Sequence, residues 1–265
     1  MVMCYRATCK QIIIYLIFFI MKLKYITCSG ANEYTDISEL LNVFSAPLRV
    51  VAEFGIQVSG KKASLGSARY WWLQTLYLRQ SHYCPRCNFA LHLNQDWVED
   101  FCDGTPSAEL SEFLSWKNFW RKPFFGRVQL NFRIGREKTP DLKRLLASMR
   151  KYPDVRFILS YNDDNAEFIH RLYDEGFNFD LLYDNSHGEG IEANHYAPPA
   201  FDDVLQGYSG GISPENVVSV LNKISPSVSA DKEIFIDAEG KLKGEDGHFS
   251  IKRCKAYVER AVLFV

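Results

Sequence analysis

A single-domain α/β protein, a closed (β/α)8 barrel of the TIM type, is the architecture this sequence predicts, and three observations carry the prediction. From Tyr25 onward, eight short apolar runs alternate with amphipathic stretches. Several of the runs lack polar alternation, as strands covered on both faces should. The chain has 265 residues, close to the roughly 250 that such a barrel takes. An open doubly wound sheet is the competing topology. A dinucleotide fingerprint would favour it, and no GxGxxG follows the first run.

In chain order the expected strands are Tyr25–Cys28, Arg49–Ile56, Asn88–Leu93, Gly126–Phe132, Val155–Ser160, Phe179–Tyr183, Asp203–Tyr208 and Ile234–Asp237. Helices are expected between them. Asp36–Phe44 follows Thr35, a residue suited to an N-cap, and Ala68–Arg79 is long and aromatic. Ser107–Trp116 is the one good helical pattern in the third crossover. Asp141–Lys151 has Thr139 and Pro140 in front of it, a cap and first-position pair. Asn165–Asp174 runs up to Gly176, a C′ glycine. Glu215–Leu221 starts after Ser213 and Pro214, and the last helix spans about residues 250–263.

Composition excludes several classes. With 47% hydrophobic and 14% aromatic residues the chain is not disordered, collagenous or a small disulfide-stapled fold. Lys plus Arg number 31 against 32 Asp plus Glu, and no basic patch stands out, so no nucleic-acid partner is expected. Residues 1–23 are expected to be an apolar extension to a barrel over 24–265. The run Ile12–Met21 is shorter than the about 20 residues a membrane span needs, so no clear membrane partner follows. A signal peptide, a membrane-associated segment and a core helix are the other readings of the run. Seven cysteines, an odd number in a chain with ample core residues, point to reduced thiols and a cytoplasmic protein. Monomer and homodimer remain equally open.

Barrels of this type do their chemistry at the C-terminal ends of the strands. The polar residues there are Cys28, Gln57, Asn94, Asp96, Asn131, Arg133, Asn162, Asp163, Asp184, Gly210, Gly211, Asp237 and Glu239. The segment Ser209-Gly210-Gly211-Ile212-Ser213-Pro214 combines two glycines with the start of a helix. Its amides suit an anion such as phosphate, and Asp237-Ala238-Glu239-Gly240 closes the next strand beside it.

These residues carry a resemblance to phosphoribosylanthranilate isomerases. Phe179-Asp180-Leu181-Leu182-Tyr183-Asp184 resembles the family's sixth strand, Gly188 and Gly190 its small glycine loop, and Ser209-Gly210-Gly211 with Pro214-Glu215-Asn216-Val217 its seventh strand and helix. Val128-Gln129-Leu130 is similar to the fourth strand, which the family continues with histidine where this chain has Asn131. Ile26-Thr27-Cys28-Ser29-Gly30 resembles the first strand with one residue added before the glycine. The resemblance spans residues 24–260 and is most specific in the last third. It implies an Amadori rearrangement of a phosphorylated ribosylamine without cofactor. Asp184 would be the general acid and Cys28 the general base. Arg69 would be the carboxylate-binding arginine, and Asn131, Gly210, Gly211, Asp237 and Gly240 would be further substrate contacts. Another phosphosugar lyase or epimerase, or a non-catalytic phospholigand-binding barrel, are the alternatives.

His82, Cys84, Cys87, His92 and Cys102 include a Cys-x-x-Cys pair with zinc spacing. They read as a loop with buried thiols, and no metal is expected. Trp71, Trp72, Leu73, Leu76 and Tyr77 read as a core or interface stripe, and residues 119–125 as a packed aromatic loop. The connection 185–202, with His187 and His195, is long enough for a lid.

Overall fold

The computed structural model describes residues 21–83, 87–132, 134, 139–184 and 190–265. Eight strands, all parallel and in chain order, close into one barrel. They are β1 (Lys22–Ser29), β2 (Ala52–Val58), β3 (Asn88–Leu93), β4 (Phe125–Leu130), β5 (Arg156–Tyr161), β6 (Asp180–Tyr183), β7 (Gln206–Tyr208) and β8 (Glu233–Ala238). Around them run α1 (Ile37–Asn42), α2 (Ala46–Arg49), α3 (Gly60–Ala63), α4 (Ala68–Tyr83), α5 (Asp96–Asp103), α6 (Ala108–Ser115), α7 (Leu142–Arg150), α8 (Ala166–Asp174), α9 (Val217–Ile224) and α10 (Ile251–Ala261). Asp36, Ser107, Asp141 and Ser250 each accept a hydrogen bond from a first-turn amide and so fix the starts of α1, α6, α7 and α10.

Several expected boundaries move. The barrel begins at Lys22 rather than residue 24, and residues 1–20 lie outside the described part. Arg49, expected to open the second strand, instead ends the short helix α2, which has Pro47 in its first turn, and the strand starts at Ala52. β7 keeps only three residues of the expected six, and the Gln206 side chain ties its start to the preceding chain at Ala200 N and Pro198 O. The third crossover holds an additional helix, α5, which buries Trp97, Val98, Phe101 and Cys102 on one side.

Strand parity divides the interior in two. Alternate residues such as Ile26, Phe54, Leu91, Val128 and Ile236 face the helices and form the large outer core. Their neighbours face the lumen, where Ile158, Leu182 and Phe235 pack with Tyr25 and Leu205. Beside this plug lies a charged layer. Arg127 is 2.8 Å from Glu53 and 3.3 Å from Asp180, and its guanidinium lies over the rings of Tyr25 and Phe235. Thr27 donates to Glu53, and Arg156 pairs with Asp180 from the barrel's edge.

The phase of β1 has a local cause. Against β8 its register slips between Leu23 and Tyr25, so that Lys24 is the extra residue of a bulge. Lys24 turns outward to Glu233. From there Tyr25, Thr27 and Ser29 point inward, and Ile26 and Cys28 point to the helices.

Candidate active site

The C-terminal mouth of the barrel holds a cavity of about 720 Å³, in the size range of small-molecule sites. Asp184, Asn131, Gly210, Gly211, Asp237 and Gly240, six of the eight residues singled out from the sequence, line it together. Gln57, Asn94, Asn162 and Glu239 also line it, whereas Asp96 instead accepts the Gly60 amide at the start of α3.

Two residues are placed otherwise. Cys28 is fully buried on the helix side of β1, hydrogen-bonded to the Cys254 thiol of α10 and close to Tyr257. Burial, and then the Cys254 thiol, push its own thiol well above the usual range, the opposite of what a thiolate base requires. The bulge at Lys24 is the physical reason for this outward placement, and Lys24 itself is occupied by Glu233. Arg69 is buried at 7% exposure, bound to the Glu33 carboxylate and, at 2.7 Å, to the main-chain oxygen of Gln57. Its guanidinium thus already holds a carboxylate from its own chain.

Ser29 takes the inward position that the thiol lacks. Its hydroxyl donates to Asp237 Oδ1 at 2.6 Å. Asp237 is 8% exposed, and its carboxyl is pushed up to about 7, first by burial and then by the charges of Glu239 and Glu53; the Ser29 hydrogen bond and Arg127 pull it down in part. Room for this pair comes from β2. A methyl group built on Gly55 would stand 2.2 Å from Ser29 Oγ and 2.6 Å from His92 Cε1. His92 is enclosed in the lumen, and burial, aided by Arg127, pulls its imidazole down to about 3, so it is neutral. Its Nε2 has no hydrogen-bond partner.

The loops after β7 and β8 shape the other wall. Ser213 caps the turn into α9, its hydroxyl accepting from the amides of Glu215 and Asn216. Asn216 in turn holds Gly211 O and Glu192. Gly211 has φ +64°, and a Cβ there would lie 2.4 Å from Glu192 N. Gly211→Ala is therefore expected to cost about 1–3 kcal/mol of stability, read from urea denaturation; an unchanged midpoint would show that the 190–193 segment is not fixed against this loop. Lys241 and Lys243 follow Gly240 on the cavity rim.

The remaining sequence candidates fall elsewhere. His195 is exposed and does not line the cavity; His187, Gly188, Arg133 and Cys84 lie outside the described residues. Cys87 donates to Leu41 O, and Cys102 is buried in α5. Among the described residues no three His, Cys, Asp or Glu side chains are grouped to hold a metal ion. Trp72 packs inward and donates to Thr35 O, whereas Trp71 is exposed. Phe119 and Trp120 project from their loop rather than packing under it. No helix among the described residues is long and apolar enough to cross a membrane.

No family model matches the chain, and no curated protein does. Solved structures match its fold. TrpF from Jonesia denitrificans is 13% identical over 89% of this chain and 96% of its own, with a TM-score of 0.51. A mutant tryptophan synthase α-subunit from Pyrococcus furiosus is 14% identical over 93% and 100%, with a TM-score of 0.50. N-(5′-phosphoribosyl)anthranilate isomerase from the same organism is 13% identical over 89% and 98%, with a TM-score of 0.48. At these identities the likeness is one of fold: the chain is a (β/α)8 barrel of the shape found in the TrpF and tryptophan synthase α-subunit structures.

Proposed function

We propose that this barrel is an isomerase-like enzyme that binds a small phosphorylated sugar-amine and moves a proton on it by acid–base catalysis. The Amadori rearrangement of N-(5-phosphoribosyl)anthranilate is the form of that reaction implied by the sequence resemblance. The observation that carries the reading is the meeting, in one cavity, of glycine-bearing turns after β7 and β8 with strand-end carboxylates of β6 and β8. In barrels the loops after strands 7 and 8 are the usual seat of a phosphate. Here Gly210, Gly211 and Gly240 allow close approach of main-chain amides, and Lys241 and Lys243 supply positive charge.

In this reading Asp184 is the acid that protonates the ring oxygen as the sugar opens. Asp237 is the base that takes the C2′ proton, in place of Cys28. A carboxylate poised near neutrality can hold or release a proton at little cost, and the Ser29 hydroxyl fixes its orientation. Arg69 has no assigned role at the ligand. Its pairing with Glu33 favours a second reading, an isomerase or epimerase of another sugar phosphate.

Two measurements test the proposal. Turnover of N-(5-phosphoribosyl)anthranilate, followed by loss of its fluorescence, separates the reactions; phosphate binding without turnover favours the second reading or a binding protein. Gly240→Asp tests the phosphate end. A Cβ at Gly240 enters open space, so the added carboxylate acts by charge rather than by strain. Inorganic phosphate is expected to bind about tenfold more weakly, about 1.4 kcal/mol. Equal affinity in the variant and the wild type would place the anion elsewhere.

A further inference from the structure

The side of the cavity formed by β2, β3 and β4 has a chemistry of its own. Gln129 Nε2 donates to Asn131 Oδ1 at 2.6 Å, Asn131 Nδ2 donates to Asn94 Oδ1 at 2.9 Å, and Asn94 Nδ2 donates to His92 O at 3.1 Å. All three amides therefore point the same way along one chain of hydrogen bonds. Each NH₂ group spends one hydrogen on the chain and keeps a second. The carbonyl oxygen of Gln129 at the head of the chain accepts nothing from the described residues. Next to this row, the Gln57 side chain has no hydrogen-bond partner among the described residues. Ser59, at 1% exposure, leaves its hydroxyl without one although it lines the cavity. A buried polar group normally has a partner, so the Ser59 hydroxyl, together with the amide groups beside it that open on the cavity, points to a group that comes from outside.

The charge pattern narrows what that is. Arg69, the arginine behind this wall, already carries Glu33, and Lys62 at the rim also acts on the Glu33 carboxylate. Phe132 is the one aromatic side chain among the described lining residues, so no pair of rings stands ready to sandwich an aryl group. We infer that the wall of Gln57, Ser59, Asn94, Gln129 and Asn131 receives a neutral group rich in hydroxyls or bearing a carboxamide, at the end of the ligand away from its phosphate, and that an aryl carboxylate is not the group it selects. This inference rests on the phosphate-end reading above. Amide side chains with spare donors and acceptors match hydroxyls in both directions, and such a site loses heavily when offered a partner that leaves them unpaired.

Three probes that share a phosphate test it by calorimetry: inorganic phosphate, ribitol 5-phosphate, and the aryl-carboxylate compound reduced 1-(o-carboxyphenylamino)-1-deoxyribulose 5-phosphate. Ribitol 5-phosphate is expected to bind about tenfold or more tightly than inorganic phosphate, and the aryl carboxylate to show no such gain. Asn131→Leu is expected to abolish the gain while leaving inorganic phosphate unchanged. Asn131→Asp, which keeps the size but cannot donate, is expected to lower ribitol 5-phosphate affinity by about tenfold and serves if the leucine variant does not fold. Tighter binding of the aryl carboxylate than of ribitol 5-phosphate, or indifference of ribitol 5-phosphate to both variants, would overturn the inference. Failure of phosphate to bind, with Asn131-dependent binding of unphosphorylated ribitol, would overturn the phosphate reading and the wall's placement relative to a phosphate, and would keep its preference for hydroxyls. Failure of all the probes and of ribitol would overturn both.

Discussion

Asp237→Asn is expected to lose turnover by about 10²–10⁴-fold and to gain stability at the same pH. Both effects come from one placement. The carboxyl sits in the lumen, held by Ser29, and burial raises it from an ordinary 3.8 to about 7. As the base it acts in the ionised form, so wild-type kcat/KM should rise as pH rises through about 7, and that limb should vanish in the variant. The stability effect runs the other way. Between about pH 4 and pH 7 the native state holds a proton that the unfolded chain has released, so stability falls as pH rises across that window. Above pH 7 the buried carboxylate costs on the order of 4 kcal/mol. The neutral amide does not titrate, so Asp237→Asn should unfold at higher urea than the wild type at pH 8, and the difference should shrink towards pH 4. Asp184→Asn should lower turnover by a comparable factor but keep the limb near pH 7, because it removes the acid and leaves the base. Full activity in Asp237→Asn would end its assignment as base; an unchanged midpoint at pH 8 would show that the carboxylate is better solvated than its burial implies.

The largest loss of stability is expected from Arg127→Leu. Arg127 is 3% exposed and is the cation between Glu53 and Asp180, themselves about 1% exposed. Nη2 has no hydrogen-bond partner, Nε has the ion pair to Asp180 but no hydrogen bond, and the guanidinium lies over the faces of Tyr25 and Phe235, where cation–π attraction replaces part of the lost hydration. Removing it leaves Glu53 a buried carboxylate with Thr27 as its one remaining side-chain donor among the described residues, and Asp180 with Arg156. Breaking a buried pair in this way costs about 3–5 kcal/mol. Burial already pushes the Glu53 carboxyl upward, so the deficit should narrow as pH falls and Glu53 takes up a proton. The double change Arg127→Leu with Glu53→Leu should recover much of the loss. A deficit under about 1 kcal/mol at pH 7 would mean that water reaches this layer.

Much of the barrel was legible because its signals are local. Apolar runs without alternation mark strands buried on both faces, and capping residues mark helix starts to within a residue or two, the caps being Asp36 and Asp141 where Thr35 and Thr139 were expected. Asn94, Asn131, Asp184 and Asp237 were found at strand ends, and all reach the mouth. What could not be read was parity in β1. A side chain changes faces with each residue, and the register slip that sets the phase lies at Lys24. Its cause is pairing with β8, some two hundred residues away, and no local pattern reports it. Thus the sequence resemblance points to Cys28, while Ser29, one residue on, is the side chain that faces the lumen and Asp237. The same limit applies to Arg69. Its partner Glu33 lies in the loop before α1 and 36 positions away, and nothing in the spacing announces the pair. The helix α5 was missed although its apolar residues, at 97, 98, 101 and 102, recur at helical spacing, because eight residues give the period only two turns in which to show.

Gly55 touches no ligand in any reading of this site, yet its missing side chain ties four strands together. The space left by one absent methyl group is shared by Ser29 of β1 and His92 of β3, and through Ser29 by Asp237 of β8. A larger residue at position 55 displaces the hydroxyl or the imidazole, so it is compatible with the fold only when one of them is smaller. Positions 29, 55, 92 and 237 are therefore not free to vary one at a time. Across a lineage of such chains they should change as a set, and the residue that records the arrangement most faithfully is the one with nothing to contribute to the chemistry.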